Sequence, residues 1–339
     1  MLHDGLRLAR VSRIFLTHSH GDHAYGLPGL LCTRAGAFDG ETIPSPLMVV
    51  GPPGTREFIR ATLRFSEAHL SYHYVVHELH RDAASCAQHA STATPLWSTE
   101  MPGRDVLPDA DGLWTVPDST DGSPNTFSVR AGPLEHRVPC IGFVLVEPDM
   151  PGSLDPSRVV PLLQAQKAAL EAQGVRQPLS LLGQLKAGKE LVLPDGTRIR
   201  PEDCIGPARP GRKLVILGDT SDPWSLRDAA ADCDVLVHES TNANVAPADD
   251  KPAETTDEQV EAMAISRGHS TPQMAGRFAA AVRAKALALN HFSQRYVDDP
   301  DNPKHEAVME AIANLARRHF EGEVITARDH MELPVLRRT

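Results

Sequence analysis

Residues 14–31 read IFLTHSHGDHAYGLPGLL, and this stretch says more about the fold than any other. Its first four residues predict a buried β-strand that runs into a polar turn. Three imidazoles and one carboxylate follow within six positions, at His18, His20, Asp22 and His23. One tight turn can aim such groups inward together, and this ligand chemistry suits Zn²⁺ and other borderline divalent metals. The stretch therefore predicts a metal centre, with a solvent-exposed polar turn as the alternative.

The number of ligands in the turn predicts two metal ions. A tetrahedral site takes four ligands, and the turn offers that many before any distant residue is counted. His18 and His20 are two positions apart and can serve one ion, while the adjacent Asp22 and His23 serve the other. Further ligands are expected just after other strands, where the candidates are His136, Asp219, His238 and His291. A carboxylate at position 219 could bridge two cations.

Composition excludes several classes of protein. The 339 residues are 41% hydrophobic and 23% charged, which is typical of a globular chain of one large or two ordinary domains and excludes general disorder. No apolar run approaches the roughly 18 residues that span a bilayer. The net charge of −10 argues against a surface that binds nucleic acid everywhere. The first ten residues lack a secretory signal pattern, and the five cysteines are scattered, so we expect an intracellular protein, cytoplasmic by default.

Short β-branched runs alternate with amphipathic stretches, which predicts an α/β (α+β) fold with sheets covered by helices. Strands are predicted at 14–17, 47–50, 72–79, 127–130, 141–146, 213–217, 234–237, 286–289 and 323–326, and helices at 53–68, 159–172, 256–266, 273–284 and 304–318. Residues 81–125 have little periodicity and are interpreted as a loop insertion without chemistry. Residues 190–200 predict a hairpin that turns at Pro194-Asp195-Gly196.

Five strings resemble the metallo-β-lactamase superfamily, and within it ribonuclease Z, the endonuclease that trims the 3′ trailer from precursor transfer RNA. They are residues 14–31, Gly218-Asp-Thr220, His238-Glu-Ser-Thr241, His269-Ser-Thr271 and His291-Phe-Ser-Gln-Arg-Tyr296. The resemblance runs from about Gly5 to Leu333. It implies an αββα sandwich as one metallo-β-lactamase-type domain, two bound Zn²⁺ ions with Mn²⁺ as the alternative metal, and a homodimer.

The resemblance also implies a role for each site residue. One zinc would be held by His18, His20, His136 and Asp219, and the other by Asp22, His23, His291 and the same Asp219. A metal-activated hydroxide would attack the phosphodiester, with Asp22 orienting it and taking its proton. His269, positioned by Glu239, would give a proton to the leaving 3′ oxygen. Arg295 is expected to clamp phosphate, and His238 to lie beside Glu239 in the layer behind the ligands.

Residues 151–212 resemble the arm with which the family grips transfer RNA. From 176 to 213 there are eight Lys and Arg against four acids, and Lys186 and Lys189 are expected to contact phosphate. Two departures from the family stand out. The Gly-Pro turn of the arm is replaced around residues 174–179, and the chain begins after the two further strands and basic loop with which family members start. The chain is therefore expected to be either a fragment or a shortened form with an exposed sheet edge. In both cases nothing is inferred about discrimination against CCA, and an organelle location stays open.

Two other functions fit part of these observations. The chain could be a different phosphodiesterase of the same fold that acts on small phosphodiesters, although the basic arm argues against this. It could also be an inactive, truncated RNA-binding homologue. The intact set of ligands weighs against that second alternative, since a protein that had lost catalysis need not retain seven ligands together with Glu239 and His269.

Overall fold

The computed structural model of the chain describes residues 7–37, 46–89, 97, 99–117, 127–248, 255–297, 299 and 301–337. These residues form two compact units. The first comprises the described residues of 1–146 and 213–335, and the second those of 147–212 and 336–339. Among the described residues no helix has the length and hydropathy needed to cross a membrane.

The first sheet lies near the amino terminus, and all its neighbouring strands are parallel. It contains β1 (Arg13–Phe15), β2 (Leu47–Gly51), β3 (Tyr74–Leu79), β4 (Glu100–Met101) and β5 (Asp105–Val106). β1 pairs with β2 and β2 with β3, while β4 and β5 both pair with β3. Both faces of β2 are buried, which explains its continuous apolar sequence.

The second sheet is mixed and has the order β14-β13-β12-β11-β8-β7-β6. Its strands are β6 (Trp114–Thr115), β7 (Ser128–Leu134), β8 (Cys140–Val146), β11 (Lys213–Ile216), β12 (Val235–Glu239), β13 (Ala286–Asn290) and β14 (Glu323–Thr326). A separate hairpin in the second unit consists of β9 (Leu191–Val192) and β10 (Arg198–Ile199). β11 to β14 are parallel, and β8 pairs antiparallel with β11. The carboxyl ends of β11, β12 and β13 therefore meet at one edge.

Helices cover the sheets of the first unit and build most of the second. In chain order they are α1 (Gly21–Ala24), α2 (Leu27–Ala35), α3 (Thr55–Phe65), α4 (Ala83–His89), α5 (Pro156–Ala165), α6 (Lys167–Ala172), α7 (Leu182–Lys186), α8 (Pro201–Cys204), α9 (Arg227–Ala230), α10 (Asp257–Ser266), α11 (Pro272–Ala281) and α12 (Pro303–Arg317). Thr256 begins α10 by accepting a hydrogen bond from the Gln259 amide, and Thr271 begins α11 in the same way.

Side-chain alternation along β2 explains the layers of the first unit. Met48 and Val50 pack between the two sheets against residues such as Phe143 of β8, whereas Leu47 and Val49 face the outside of the first sheet. Those outer side chains pack on α2 and α3, and the outer face of the second sheet packs on α11 and α12. Each such buried aliphatic side chain contributes about 1.5–3 kcal/mol to folding. The predicted αββα sandwich is confirmed.

The second unit has its own small core. Its buried residues are Val159, Leu163, Leu170, Leu185, Leu191, Leu193, Ile199 and Cys204. The predicted hairpin is present as β9-β10, and Gly196 takes a left-handed φ of +87° in the turn. The helix predicted over 159–172 is two helices. Asp155 caps α5, Pro156 stands in its first turn, and Gln166 separates the two helices with a non-helical φ of −100° and ψ of 10°.

Residues 81–125 are less irregular than the sequence indicates. Their described part contains α4, two short strands that pair with β3 and a third that pairs with β7. Strands of two residues are too short to show alternation, so only pairing with a neighbouring strand reveals them. The remainder of the predicted loop, residues 90–96, 98 and 118–125, lies outside the described residues.

Candidate metal centre

The turn after β1 is held against both sheets of the first unit. The Leu16 amide donates to the Val50 carbonyl at 2.8 Å, and the Ile141 amide donates to the Thr17 carbonyl at 2.9 Å. The chain then turns into α1, whose N-cap is His20. Backbone pairing on both sides therefore fixes the direction in which the polar side chains of this turn project.

Three histidines and one aspartate form the first ligand group. His20 Nδ1 lies 3.1 Å from His18 Nε2 and 3.2 Å from His136 Nε2. Asp219 Oδ2 lies 3.7 Å from His18 Nε2 and 4.0 Å from His136 Nε2. Ligand atoms at about 2.0–2.1 Å from a tetrahedral zinc are separated by about 3.3 Å. The four groups thus fit one divalent ion.

Asp219 also belongs to a second ligand group. Asp22 Oδ2 lies 3.4 Å from both His23 Nε2 and His291 Nε2. Asp219 Oδ1 is 3.5 Å from His23 Nε2, and Asp219 Oδ2 is 3.3 Å from His291 Nε2. The two oxygens of this carboxylate therefore contact both groups, as expected of a bridging ligand.

Burial sets the protonation of the first group. Desolvation, followed by the influence of His23, lowers the pKa of His18 to about 3, and burial also lowers the pKa of His136. Both imidazoles are therefore neutral at pH 7, which is the form that binds metals. Burial raises the pKa of the Asp219 carboxyl, since an ionised carboxylate there needs a positive partner. A divalent cation at this position would supply the missing charge.

Hydrogen bonds on the far side of two rings fix their tautomers. His136 Nδ1 donates to the Gly268 carbonyl at 2.6 Å, which leaves its Nε2 free of a proton. His291 Nδ1 lies 2.8 Å from Thr241 Oγ1. The Thr241 hydroxyl donates its hydrogen to Glu239 at 2.6 Å, because a carboxylate can only accept, so His291 Nδ1 must be the donor. Both rings thus present an unprotonated Nε2 to the ligand groups.

A buried carboxylate holds an imidazole beside the ligands. His269 Nδ1 lies 2.9 Å from Glu239 Oε1 and 3.8 Å from Asp219 Oδ2. The Thr220 amide also donates to Glu239 Oε1, at 2.8 Å. Burial by itself would raise the pKa of Glu239, but the hydrogen bond from His269 and those from its other partners leave it lowered. The same hydrogen bond raises the pKa of His269, so this imidazole retains a proton more readily than a free one.

The other expected site residues are not members of the two ligand groups. His238 is buried on β12 but points to the opposite face from Glu239, because successive side chains of a strand alternate, and it packs on Phe278. It therefore lies outside both ligand groups. Arg295 is exposed and donates to the Ala243 carbonyl at 3.1 Å. Lys186 and Lys189 are exposed in the second unit.

Sequence reasoning missed two residues that orient the site. Thr241 connects Glu239 to His291, and its signal was its place in the string His238-Glu-Ser-Thr241. Gly268 supplies the carbonyl for His136, and a glycine two positions after the end of a predicted helix is the pattern of a left-handed C-terminal cap. Its contact with His136 has no local signal in the sequence.

A further group with metal-ligand chemistry lies partly in the segment that was interpreted as a loop. His80, directly before that segment, and Cys86 and Asp105 within it bring their ligand atoms within 4.8 Å of one another. The Arg56 guanidinium donates to Asp105 at 2.9 Å and lies 3.5 Å from Glu78. Since a cation already balances these carboxylates, the cluster is better described as an ion-pair network than as a metal site.

Comparison with known proteins identifies relatives over nearly the whole chain, although no family model matches it. The chain is 36% identical over 344 residues to "Zinc phosphodiesterase ELAC protein 1" of Homo sapiens, which covers 97% of this chain and 85% of the relative. It is 34% identical over 298 residues to "Ribonuclease Z" of Streptococcus pneumoniae, covering 88% and 76%. The crystal structure of human tRNase Z, short form, superposes with a TM-score of 0.55 at 29% identity, covering 98% of this chain and 82% of that one.

Proposed function

Since the chain belongs to the ribonuclease Z family, we propose that it is a metal-dependent endoribonuclease that removes the 3′ trailer from precursor transfer RNA. The observation that carries the proposal is the contact of Asp219 with two ligand groups, beside an imidazole that a buried carboxylate holds. Two ligand groups next to a proton donor can supply both the attacking hydroxide and the leaving-group proton for hydrolysis of a phosphodiester. An intracellular location follows from this substrate.

The residues that would hold metal are those of the two groups. His18, His20, His136 and Asp219 would bind one ion, and Asp22, His23, His291 and Asp219 the other. Five imidazoles and two carboxylates favour Zn²⁺ over Mn²⁺, which prefers oxygen ligands. Divalent ions held there would lower the pKa of water and stabilise negative charge on the phosphate oxygens.

We assign to Asp22 the orientation of the attacking water and the acceptance of its proton. Its side chain is 68% exposed, and its Oδ2 faces His23 and His291. Partial burial acts to raise the pKa of Asp22, but its backbone hydrogen bond and His23 leave it below the ordinary value. The carboxylate is therefore ionised at neutral pH and can accept a proton.

We assign to His269 the protonation of the leaving 3′ oxygen. Glu239 fixes the orientation of its ring through Nδ1, which directs the other nitrogen away from that carboxylate. The hydrogen bond to Glu239 raises the pKa of His269, which favours the protonated form of the imidazole. Glu239 then acts through His269 as a positioning residue.

The second unit is the part that we assign to transfer RNA. Its exposed Lys186 and Lys189 offer charge to the phosphate backbone, and such contacts position an RNA without reading its sequence. Arg295 remains the residue that we assign to phosphate binding next to the ligands. A homodimer belongs to the same proposal, and sedimentation equilibrium of the purified chain tests it.

The test is cleavage of a precursor transfer RNA with a 3′ trailer, with added zinc, with a chelator, and with Asp22→Ala as the inactive control. The proposal expects a metal-dependent cut just after the discriminator nucleotide. Hydrolysis of bis(p-nitrophenyl) phosphate without RNA cleavage would instead indicate a phosphodiesterase for small substrates. Two bound metals with neither activity would indicate an inactive RNA-binding homologue.

A further inference from the structure

Tyr25 is an exposed aromatic residue next to the ligand turn. It ends α1 with its amide donating to the Gly21 carbonyl at 3.0 Å, and 73% of the residue is accessible to solvent. Its ring lies over the backbone of Gly21, where an added Cβ would come within 2.7 and 2.8 Å of two ring carbons. The ring is therefore held over Gly21, the residue before Asp22, rather than extended freely into solvent.

A cavity of about 160 Å³ opens beside this ring. Its lining residues besides Tyr25 include Leu16, Ser19, Ala24, Pro53, Thr55 and Phe58. The rings of Tyr25 and Phe58 have centroids 6.2 Å apart and planes inclined by 35°. The walls are mostly apolar, with hydroxyl groups at Ser19 and Thr55. Flat aromatic walls with a few polar atoms suit a heteroaromatic ring better than an ion or a flexible chain.

The position of the cavity indicates which heteroaromatic group could bind in it. Ser19 stands between two members of the first ligand group, and Ala24 directly follows a member of the second. A phosphodiester bound at the ligand groups would therefore carry its neighbouring nucleobases to this edge of the turn. Aromatic side chains bind bases of any sequence by stacking, which a processing enzyme with many precursors needs.

We propose that Tyr25, with the cavity that it shares with Phe58, binds a nucleobase adjacent to the scissile phosphodiester by stacking. The inference rests on the proposed function, because it requires an RNA substrate. It adds a contact on the first unit that grips the substrate next to the cut. This contact is distinct from the phosphate contacts assigned to Lys186 and Lys189.

The experiment compares four proteins on three precursor RNAs. The proteins are the wild type, Tyr25→Ala, Tyr25→Phe and Phe65→Ala. Phe65 is a matched control because it is also an exposed aromatic residue at the end of a helix. It ends α3, is 92% exposed and does not line the cavity. The RNAs are an intact precursor and two that are abasic at the nucleotide on the 5′ or the 3′ side of the cut. Metal content and melting temperature are measured for every variant.

The proposal expects Tyr25→Ala to lower kcat/KM on the intact precursor by roughly 5- to 150-fold, the range that one lost base stack produces. Tyr25→Phe and Phe65→Ala should stay near the wild type. One of the abasic precursors should slow the wild type by a similar factor and should not slow Tyr25→Ala further. Equal cleavage by Tyr25→Ala and the wild type, or additive effects of the two changes, would overturn the inference. If the wild type does not cut the intact precursor, the proposed function itself fails.

Discussion

The carbonyl oxygen of Gly268 lies 2.6 Å from Nδ1 of His136, although 132 positions separate the two residues in the chain. Gly268 follows α10 in a left-handed conformation, with its amide donating to the Ile265 carbonyl, and the next amide, that of His269, donates to the Ala264 carbonyl. This is the hydrogen-bond pattern of a Schellman cap. The end of one helix thus sets the tautomer of a ligand and the position of the proton donor together.

Replacing Gly268 with alanine should therefore damage the metal site. The new Cβ would lie 2.8 Å from His136 Nδ1, and the φ of +77° is unfavourable for any residue with a Cβ. We expect metal affinity to fall roughly 10- to 100-fold, as for loss of a partner behind a ligand. Titration with zinc against a competing chelator measures this. Gly112→Ala is the control, since Gly112 has a φ of +79° and open space around it, and equal losses in both variants would contradict the prediction.

Thr241→Val should weaken the second ligand group while keeping the shape of the side chain. The hydroxyl joins Glu239 to His291. Without it the tautomer of His291 is no longer fixed, and Glu239 loses one of its hydrogen bonds. We expect a loss of roughly 10- to 100-fold in metal affinity or cleavage rate. Thr241→Ser, which keeps the hydroxyl, should behave nearly as the wild type. Unchanged zinc binding and turnover in the valine variant would show that the Thr241 hydroxyl does not contribute to metal binding or catalysis.

His269→Ala should slow precursor cleavage by roughly 10²-fold or more, because the leaving oxygen would lose its proton donor. Metal binding should change little, since the seven ligands of the two groups remain. Single-turnover kinetics with saturating enzyme separates this effect from RNA binding. A phosphodiester whose leaving group is p-nitrophenolate needs little protonation and provides the internal control. An equal loss of rate on both substrates would assign His269 a structural role instead.

His77 should make stability depend on pH. It is buried on β3, its Nδ1 accepts a hydrogen bond from the Arg104 amide at 3.0 Å, and burial, then Arg104 and Arg56, lower its pKa to about 4. Because the folded pKa is below the unfolded value, its contribution is complete above pH 6.5 and is lost as the pH falls towards 4. This amounts to about 2 kcal/mol between pH 7.5 and 5.

Urea unfolding of the metal-free protein at several pH values measures that change. His77→Asn keeps an acceptor but removes the titration, so the free energy of unfolding should fall less on acidification than in the wild type. His73, which is exposed and directly precedes β3, offers the control variant His73→Asn. If both variants lose as much stability as the wild type between pH 7.5 and 5, His77 is not the group responsible.

Replacing Lys186 and Lys189 with glutamine should weaken precursor binding and lower the slope of log affinity against log salt by about 2. Both side chains are exposed, so folding of the second unit should be unaffected. Filter binding at several salt concentrations gives the slope. Hydrolysis of bis(p-nitrophenyl) phosphate should stay the same, and its loss would point to misfolding rather than to lost RNA contacts.

Local patterns were sufficient for much of the fold. Alternating and continuous apolar runs located the longer strands and helices, because burial of one or both faces imposes a period on the sequence itself. The pairs Glu100–Met101 and Trp114–Thr115 were read as loop, since two residues cannot display a period. Their strand conformation depends on hydrogen bonds to β3 and β7.

The sequence by itself determined the chemistry of this protein, because the ligand types, their spacing in His18-Ser-His20-Gly-Asp22-His23 and their place after strands are all local properties. Only the tertiary structure decided how they are oriented. It placed Gly268 behind His136, Thr241 between Glu239 and His291, and His238 on the face away from the ligands. These contacts join residues that are distant along the chain or differ only in the side of a strand, and the packing of the sheets and helices, rather than any local pattern, brings them together.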